Sequence, residues 1–522
     1  MKRSRRPGAA ILAALLLCLP AVAPAAAQDV SLASRDGSFA LEGTLLAFDG
    51  EFYRIDTIYG PLTVDALGVV CEGPGCPDLE AYIAEVTLSG AEAMGAVLMP
   101  ALVEAFAAQR NQRAARAIRD ALGFTYTISS REGRTLARIG FRLTTTDEGF
   151  ADLVAGEADL AMAAREVRAA ELALGREAGL GTLSAPAQGR IVALDAFVAA
   201  VAPENPVRAI SPEALALVLS GAIADWGELG GAAGEPIRLQ ALDASLGPQQ
   251  AIEALLLPGA EPVSAAARRH PDAAALADAV AGDPLALGVT LNSALGEARG
   301  LALTGGCGFA VAPHDTAIRS EDYPLVAPLF LYAPARRLPA IVRDFLAFLA
   351  TPAAHRVIRR AGFTDLAPRR VPLAEQGERL ANAILAAGSD TTLDTLQAMV
   401  RALAGAERLS PTFRFRSGAA GLDAPSRGNA ILLSEALEAG VYDGGELIFV
   451  GFSDGEGGAA ANLRIARSRA ETVLAAVRAL SETADFGRVK LTALAFGEAL
   501  PMACDDSDWG RRVNRRVEVW LR

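Results

Sequence analysis

Gly510-Arg511-Arg512-Val513-Asn514-Arg515-Arg516-Val517-Glu518 leads into a closing strand over residues 516–521, and it is read together with the earlier stretch Gly451-Phe452-Ser453-Asp454-Gly455. Side chains alternate along a strand, so Val517, Val519 and Leu521 share one face and Arg516, Glu518 and Trp520 the other. Working backwards, strands are predicted over 489–495 and 447–450, a long helix over 462–480 and a shorter one around 429–439. Phe413-Arg414-Phe415 opens the segment. The order β-α-β-α-β-β describes a helix-backed α+β sandwich. It has too few strands for a transmembrane barrel and no repeat of roughly 10 residues with an apolar outer face.

The helix from Asn462 carries Arg464, Arg467, Arg469 and Ala470, and Phe496-Gly497 and Pro501 follow. Together with the Gly-Phe-Ser-Asp turn and the Arg-rich close, these residues resemble the OmpA-like peptidoglycan-binding domain over 410–522. Asn462 and Arg469 are two helical turns apart and share a face, and Asp454 lies in the loop before them. A carboxylate and a guanidinium facing one cleft suit a zwitterionic amino-acid end, the Asp taking the ammonium and the Arg the carboxylate. The resemblance implies Asp454 and Arg469 as primary contacts to the diaminopimelate of the wall peptide, with Asn462 and Arg515 in support. Phe452 stands where that family commonly has His, and Arg416 where it often has an acidic or small residue. The competing expectation is a structural Asp454–Arg469 ion pair beside a solvated Arg-rich strand.

From 84 to 370 strands and helices alternate, which predicts an α/β architecture with largely parallel sheets. The length exceeds one ordinary sheet domain, so two lobes are expected. A strand over 83–88 is expected to break at Ser89-Gly90, before a helix with Met94, Val97, Leu98, Leu102 and Phe106 on one face. Strands are also expected at 158–163 and 191–202, and a helix at 212–220. Leu88-Ser89-Gly90-Ala91-Glu92, Ala161-Met162-Ala163-Ala164-Arg165-Glu166, Leu219-Ser220-Gly221-Ala222 and Asp322-Tyr323-Pro324-Leu325 follow in that order. They resemble the type 2 periplasmic binding proteins of the phosphate-binding kind. That resemblance implies a small anion such as phosphate held between two lobes by helix N-termini and backbone N–H groups. It also implies an ABC transporter permease as partner, and ligand contacts at Ser89, Gly90, Arg165 and Ser245. In Asp243-Ala244-Ser245-Leu246-Gly247-Pro248, however, Leu246 and Pro248 remove polar groups from an oxyanion turn, and Pro has no N–H to give. The bland alternatives are a helix cap for Ser89 and a salt bridge for Arg165.

The remaining chain sets the context. Lys2, Arg3, Arg5 and Arg6, an apolar run and Ala25-Ala26-Ala27 form a secretory signal peptide over 1–27, so the mature chain is expected to begin at Gln28 in the periplasm. Residues 28–80 read as a small β module with turns at Asp36-Gly37 and Asp49-Gly50. Residues 371–409 read as a helical connector with helices over 375–387 and 393–404. In an oxidising compartment Cys71 and Cys76 are expected to close a small loop, leaving Cys307 and Cys504 as a pairing by remainder. A net charge of −12 argues against nucleic acid as a partner. Three isolated histidines, no metal-ligand spacing, no cofactor loop and no nucleophile–base set point to no catalytic residues, no metal and no cofactor. The expected protein is a periplasmic solute-binding protein tethered non-covalently to peptidoglycan. The alternative is a structural envelope scaffold whose binding-protein fold has no small-molecule ligand.

Overall fold

The computed structural model describes residues 29–79, 81–120, 122–185, 187–257, 259, 261–415 and 421–522. The predicted leader, the Gln28 start and Arg416 lie outside the described residues. The chain divides after Tyr82 into two compact units. In the first, five antiparallel strands run in the order Gly60–Asp65, Phe52–Thr57, Ala40–Phe48, Asp29–Ser34, Val69–Glu72. Leu32, Tyr53 and Ile55 form its core, and Cys71 is bonded to Cys76.

The body of the second unit is built on a sheet that passes from one lobe to the other. Strand Gly189–Val201 pairs antiparallel with Val326–Tyr332 along its first half and with Ala286–Leu291 along its second. The first lobe continues through Leu160–Ala163, Ala84–Ala91 and the antiparallel Thr135–Thr144, Gly123–Ser129 and Arg113–Ile118. The second continues through Arg238–Leu242 and Arg268–His270, both parallel to their neighbours. The sheet is therefore mixed, not largely parallel, because the two crossing strands and the hairpins reverse the chain direction. Nor does Ser89-Gly90 end its strand. Ala84–Ala91 stays paired with Thr135–Thr144 through Ala91. Gly90 has φ +124°, and a Cβ there would lie 2.1 Å from the Met162 carbonyl oxygen, so only glycine lets the strand run on.

The C-terminal sheet has the order Arg370–Pro372, Glu407–Arg414, Arg516–Leu521, Glu446–Phe452, Lys490–Gly497. Helices Ala424–Glu438 and Ala459–Leu480 cover one face, where Val517, Val519 and Leu521 meet Leu433, Ala470 and Val473. A Cβ on Gly451 would lie 1.9 Å from the Ala466 carbonyl oxygen, which sets how closely the long helix packs. Connector helices Gly377–Leu385 and Leu393–Leu403 cover the other face, where Ala383, Leu396 and Met399 pack on Ile448, Val450 and Trp520. The closing strand is thus buried on both faces, which overturns the solvated-strand expectation. Its polar residues Arg516 and Glu518 are fully buried beneath the connector.

Those two residues belong to a cluster of charges. Arg516 Nε donates to Glu518 Oε1 at 2.8 Å, Arg379 donates to the same oxygen, and Trp520 Nε1 donates to Oε2 at 3.1 Å. Arg408 Nε approaches Oε2 at 3.5 Å, while its Nη1 and Nη2 donate to Asp322 at 2.7 and 3.1 Å. Asp322 belongs to the second lobe of the body, just before strand Val326–Tyr332. Burial alone would raise Glu518, but Arg379, Arg408 and Arg516 outweigh it and hold the carboxyl at about 2, from an ordinary 4.5. Burial likewise opposes ionisation of Asp322, yet Arg408 foremost holds it well below the usual carboxylate range.

Removing one partner strands the others without water. Glu518→Ala is predicted to cost about 3–5 kcal/mol in urea unfolding. The Glu518 contribution is present in full above its unfolded value of 4.5 and is lost as pH falls through about 2. Between those pH values the urea midpoint should fall less steeply in Glu518→Gln than in the natural protein. Gly90→Ala should lower the thermal midpoint at every pH, since its strain is steric.

Candidate functional site

Strand Glu446–Phe452 ends at Ser453 and Asp454, and helix Ala459–Leu480 begins after the following turn. The helix starts three residues ahead of Asn462, whose side chain is turned inward. Asn462 Nδ2 donates to the Asp454 carbonyl at 3.3 Å and to Glu498 Oε1 at 2.6 Å. The turn is held from the opposite side as well. Gly455 N donates to Asp505 Oδ2 at 2.7 Å, and Asn514 Nδ2 donates to Asp505 Oδ1 at 2.9 Å.

Within this frame Asp454 is paired with Arg515, not with Arg469. Arg515 Nη1 donates to Asp454 Oδ2 at 2.5 Å. Arg469 is half-buried, its guanidinium 5.5 Å from the centre of the Phe415 ring, and it makes no hydrogen bond or ion pair with a described residue. Burial first, and then the Arg515 cation, press its pKa down against the pull of Asp454. Ser453 Oγ beside it is buried with no partner among the described residues. Arg515 thus takes the Asp454 carboxylate, leaving Arg469 without an ion pair and the Ser453 hydroxyl unsatisfied among the described residues. Asp454, Asn462, Arg469 and Arg515 are all brought to this corner. Ser453, Glu498 and Asp505 were not singled out from the sequence, although Ser453 lies inside the quoted turn.

The residues expected at the body's cleft are arranged differently. Ser89 is a strand residue and caps no helix; its Oγ donates to Asp152 Oδ2 at 2.5 Å. Arg165 Nη1 and Nη2 donate to Glu171 at 2.9 and 2.5 Å, and Nη2 also to Asp147, so its fork is filled by carboxylates. Ser245 is exposed and leaves helix Gly247–Leu256 without a side-chain cap. Across the cleft the first-lobe Glu92 is raised in pKa, by burial and then by the charge of Asp272 from the second lobe. Ser89, Gly90, Arg165 and Ser245 thus form no cationic cradle.

The C-terminal segment grips both lobes. On the first, Arg427 Nη2 donates to Glu166 at 2.7 Å, and Ala424 packs on the cluster of Phe150, Leu153 and Tyr332. On the second, Arg408 and Arg414 hold Asp322, Gly306 N donates to Asp506 at 2.5 Å, and Cys307 is bonded to Cys504.

Residues 137–353 match the PBP superfamily domain. A comparison with curated proteins gives no match. Among solved structures, an ABC-type phosphate transport receptor from Vibrio cholerae is 19% identical, covering 53% of this chain and 98% of that one, with a TM-score of 0.41. PstS from Borrelia burgdorferi is 16% identical over 54% of this chain and 98% of that one, with a TM-score of 0.38. The peptidoglycan-associated lipoprotein from Burkholderia pseudomallei is 18% identical over 21% of this chain and 89% of that one, with a TM-score of 0.19. Over 137–353 the chain is similar to the PBP superfamily domain, and its two lobes of mixed sheet and helix have a periplasmic-binding-protein-like fold.

Proposed function

We propose that this is a non-enzymatic periplasmic solute-binding protein, held non-covalently on peptidoglycan by residues 410–522. The observation that carries the tether is Arg469, a half-buried guanidinium near Asp454 that has no carboxylate partner among the described residues, where the Ser453 Oγ next to Asp454 in the chain has no partner either. The diaminopimelate end of a wall peptide supplies the missing carboxylate to Arg469. Its ammonium meets Asp454, while Arg515 holds that carboxylate in position and Asn462 fixes the turn. Residues 1–27 direct export, 28–80 form a separate β module, 84–370 the solute-binding body and 371–409 the connector. An ABC transporter permease would receive the solute.

A specific observation favours a second reading, that of an envelope scaffold without a small ligand. Arg165 and Ser89 are already spent on Glu171, Asp147 and Asp152, and the grip on both lobes opposes the hinge motion by which such clefts close. Arg165, the cation expected to meet phosphate there, is already held by Glu171 and Asp147.

Pull-down on purified peptidoglycan separates the parts. Asp454→Ala and Arg469→Ala should each weaken retention by more than about tenfold, the worth of one charged hydrogen bond; undiminished retention of both would sink the tether. Titration calorimetry with phosphate and related oxyanions tests the body. Heat supports solute binding, and a flat trace for every oxyanion supports the scaffold.

A further inference from the structure

A cavity lies away from both sites, where helix Ala424–Glu438 packs on the first lobe. Leu183, Phe330 and Leu349 of the lobe and Ile431 and Leu432 of the helix enclose about 340 Å³. This is within the roughly 300–1,000 Å³ of small-ligand pockets. Four charged side chains reach its wall, and two of them cancel, because Arg427 donates to Glu166 at 2.7 Å. The other two do not. Arg190 gives Nη1 to the Leu346 carbonyl at 3.0 Å and has no ion pair with a described residue. Glu435 is exposed at the rim and also has none. Burial lowers the pKa of Arg190 and the nearby charge of Glu435 raises it, so the two sense one another without touching. Arg190 remains a cation at any physiological pH. His355, also on the wall, is lowered by burial and is therefore neutral at pH 7.

An apolar chamber with one uncommitted cation and one uncommitted anion selects by charge pattern. A ligand with a single charge leaves the opposite wall group unanswered and meets one group of its own sign. An uncharged ligand leaves both unanswered. We infer that this cavity binds a zwitterionic amino acid or dipeptide with apolar side chains, its carboxylate on Arg190 and its ammonium toward Glu435. Unlike the Asp454 corner, the chamber offers apolar walls to the side chain, so it prefers leucine or leucyl-leucine to a polar zwitterion.

Titration calorimetry on the mature protein carrying Asp454→Ala, which disables the proposed wall site, tests this. Leucine or leucyl-leucine should give saturable heat, and which binds more tightly shows whether free amino acids or peptides are the source. N-acetylleucine and leucinamide, each lacking one charge, should bind about tenfold more weakly, as should leucine to Glu435→Gln. Arg190→Gln should weaken binding too. Because Arg190 also supports the Leu346 carbonyl, the rim variant Glu435→Gln decides the matter, with its thermal midpoint as the folding control. No heat from either zwitterion, octanoate binding as tightly as leucine, or unchanged affinity in Glu435→Gln would each overturn the assignment.

Discussion

A few buried charges tie the larger unit together. Asp322 of the body and Glu518 of the closing strand are both reached by Arg408, and Glu518 also takes Arg379 of the connector and Arg516 of its own strand. Taking such ions out of water costs several kcal/mol each, so the cluster adds little net stability. What it does supply is direction. Guanidinium–carboxylate pairs demand defined angles where an apolar contact would slide, so body, connector and C-terminal sheet meet in one register. The Cys307–Cys504 bond acts on the other side of the balance. By closing a loop of 197 residues it restricts the unfolded chain by roughly 5 kcal/mol in chain-entropy terms.

This register links the two sites. Cys504 is next to Asp505, which holds the turn bearing Asp454, and Asp506 is bonded to Gly306 of the second lobe. The corner proposed to meet the wall is therefore supported by the body and not by its own sheet alone. Conversely, the lobes are held together by a domain that touches each of them. A change in the angle between the lobes would have to strain Arg427–Glu166 or the contacts at Asp322. Body and proposed tether form one mechanical piece, in contrast to a tethered domain swinging on a linker.

Much of the element pattern was legible in advance. Helix Pro212–Ser220 lies where the Pro at its start and the Gly after it put it, and the C-terminal strand and helix order follows from apolar spacing. The closing strand misled, because the alternation of valines with Arg516, Glu518 and Trp520 is the ordinary mark of a half-exposed strand. Nothing local says that a connector more than a hundred residues upstream will cover the polar face. Ser89-Gly90 misled for a related reason. A glycine with positive φ commonly ends a strand, but here pairing on both sides carries the backbone through it. At the candidate site, the turn motif and helical spacing identified Asp454, Asn462, Arg469 and Arg515. They could not say which arginine the aspartate would take.

Sequence alone determined the parts: a β module, an alternating α/β body, a connector with apolar helices and an Arg-rich α+β close. Those are properties of period, turn chemistry and charge within short windows. Tertiary structure alone decided how the charges were spent. Arg165 went to Glu171 and Asp147, and Arg515 went to Asp454, leaving Arg469 and Arg190 without a carboxylate partner among the described residues. The physical reason is that an arginine's chemistry is settled by the nearest carboxylate in space. That distance depends on the packing of segments far apart in the chain, which no local pattern records.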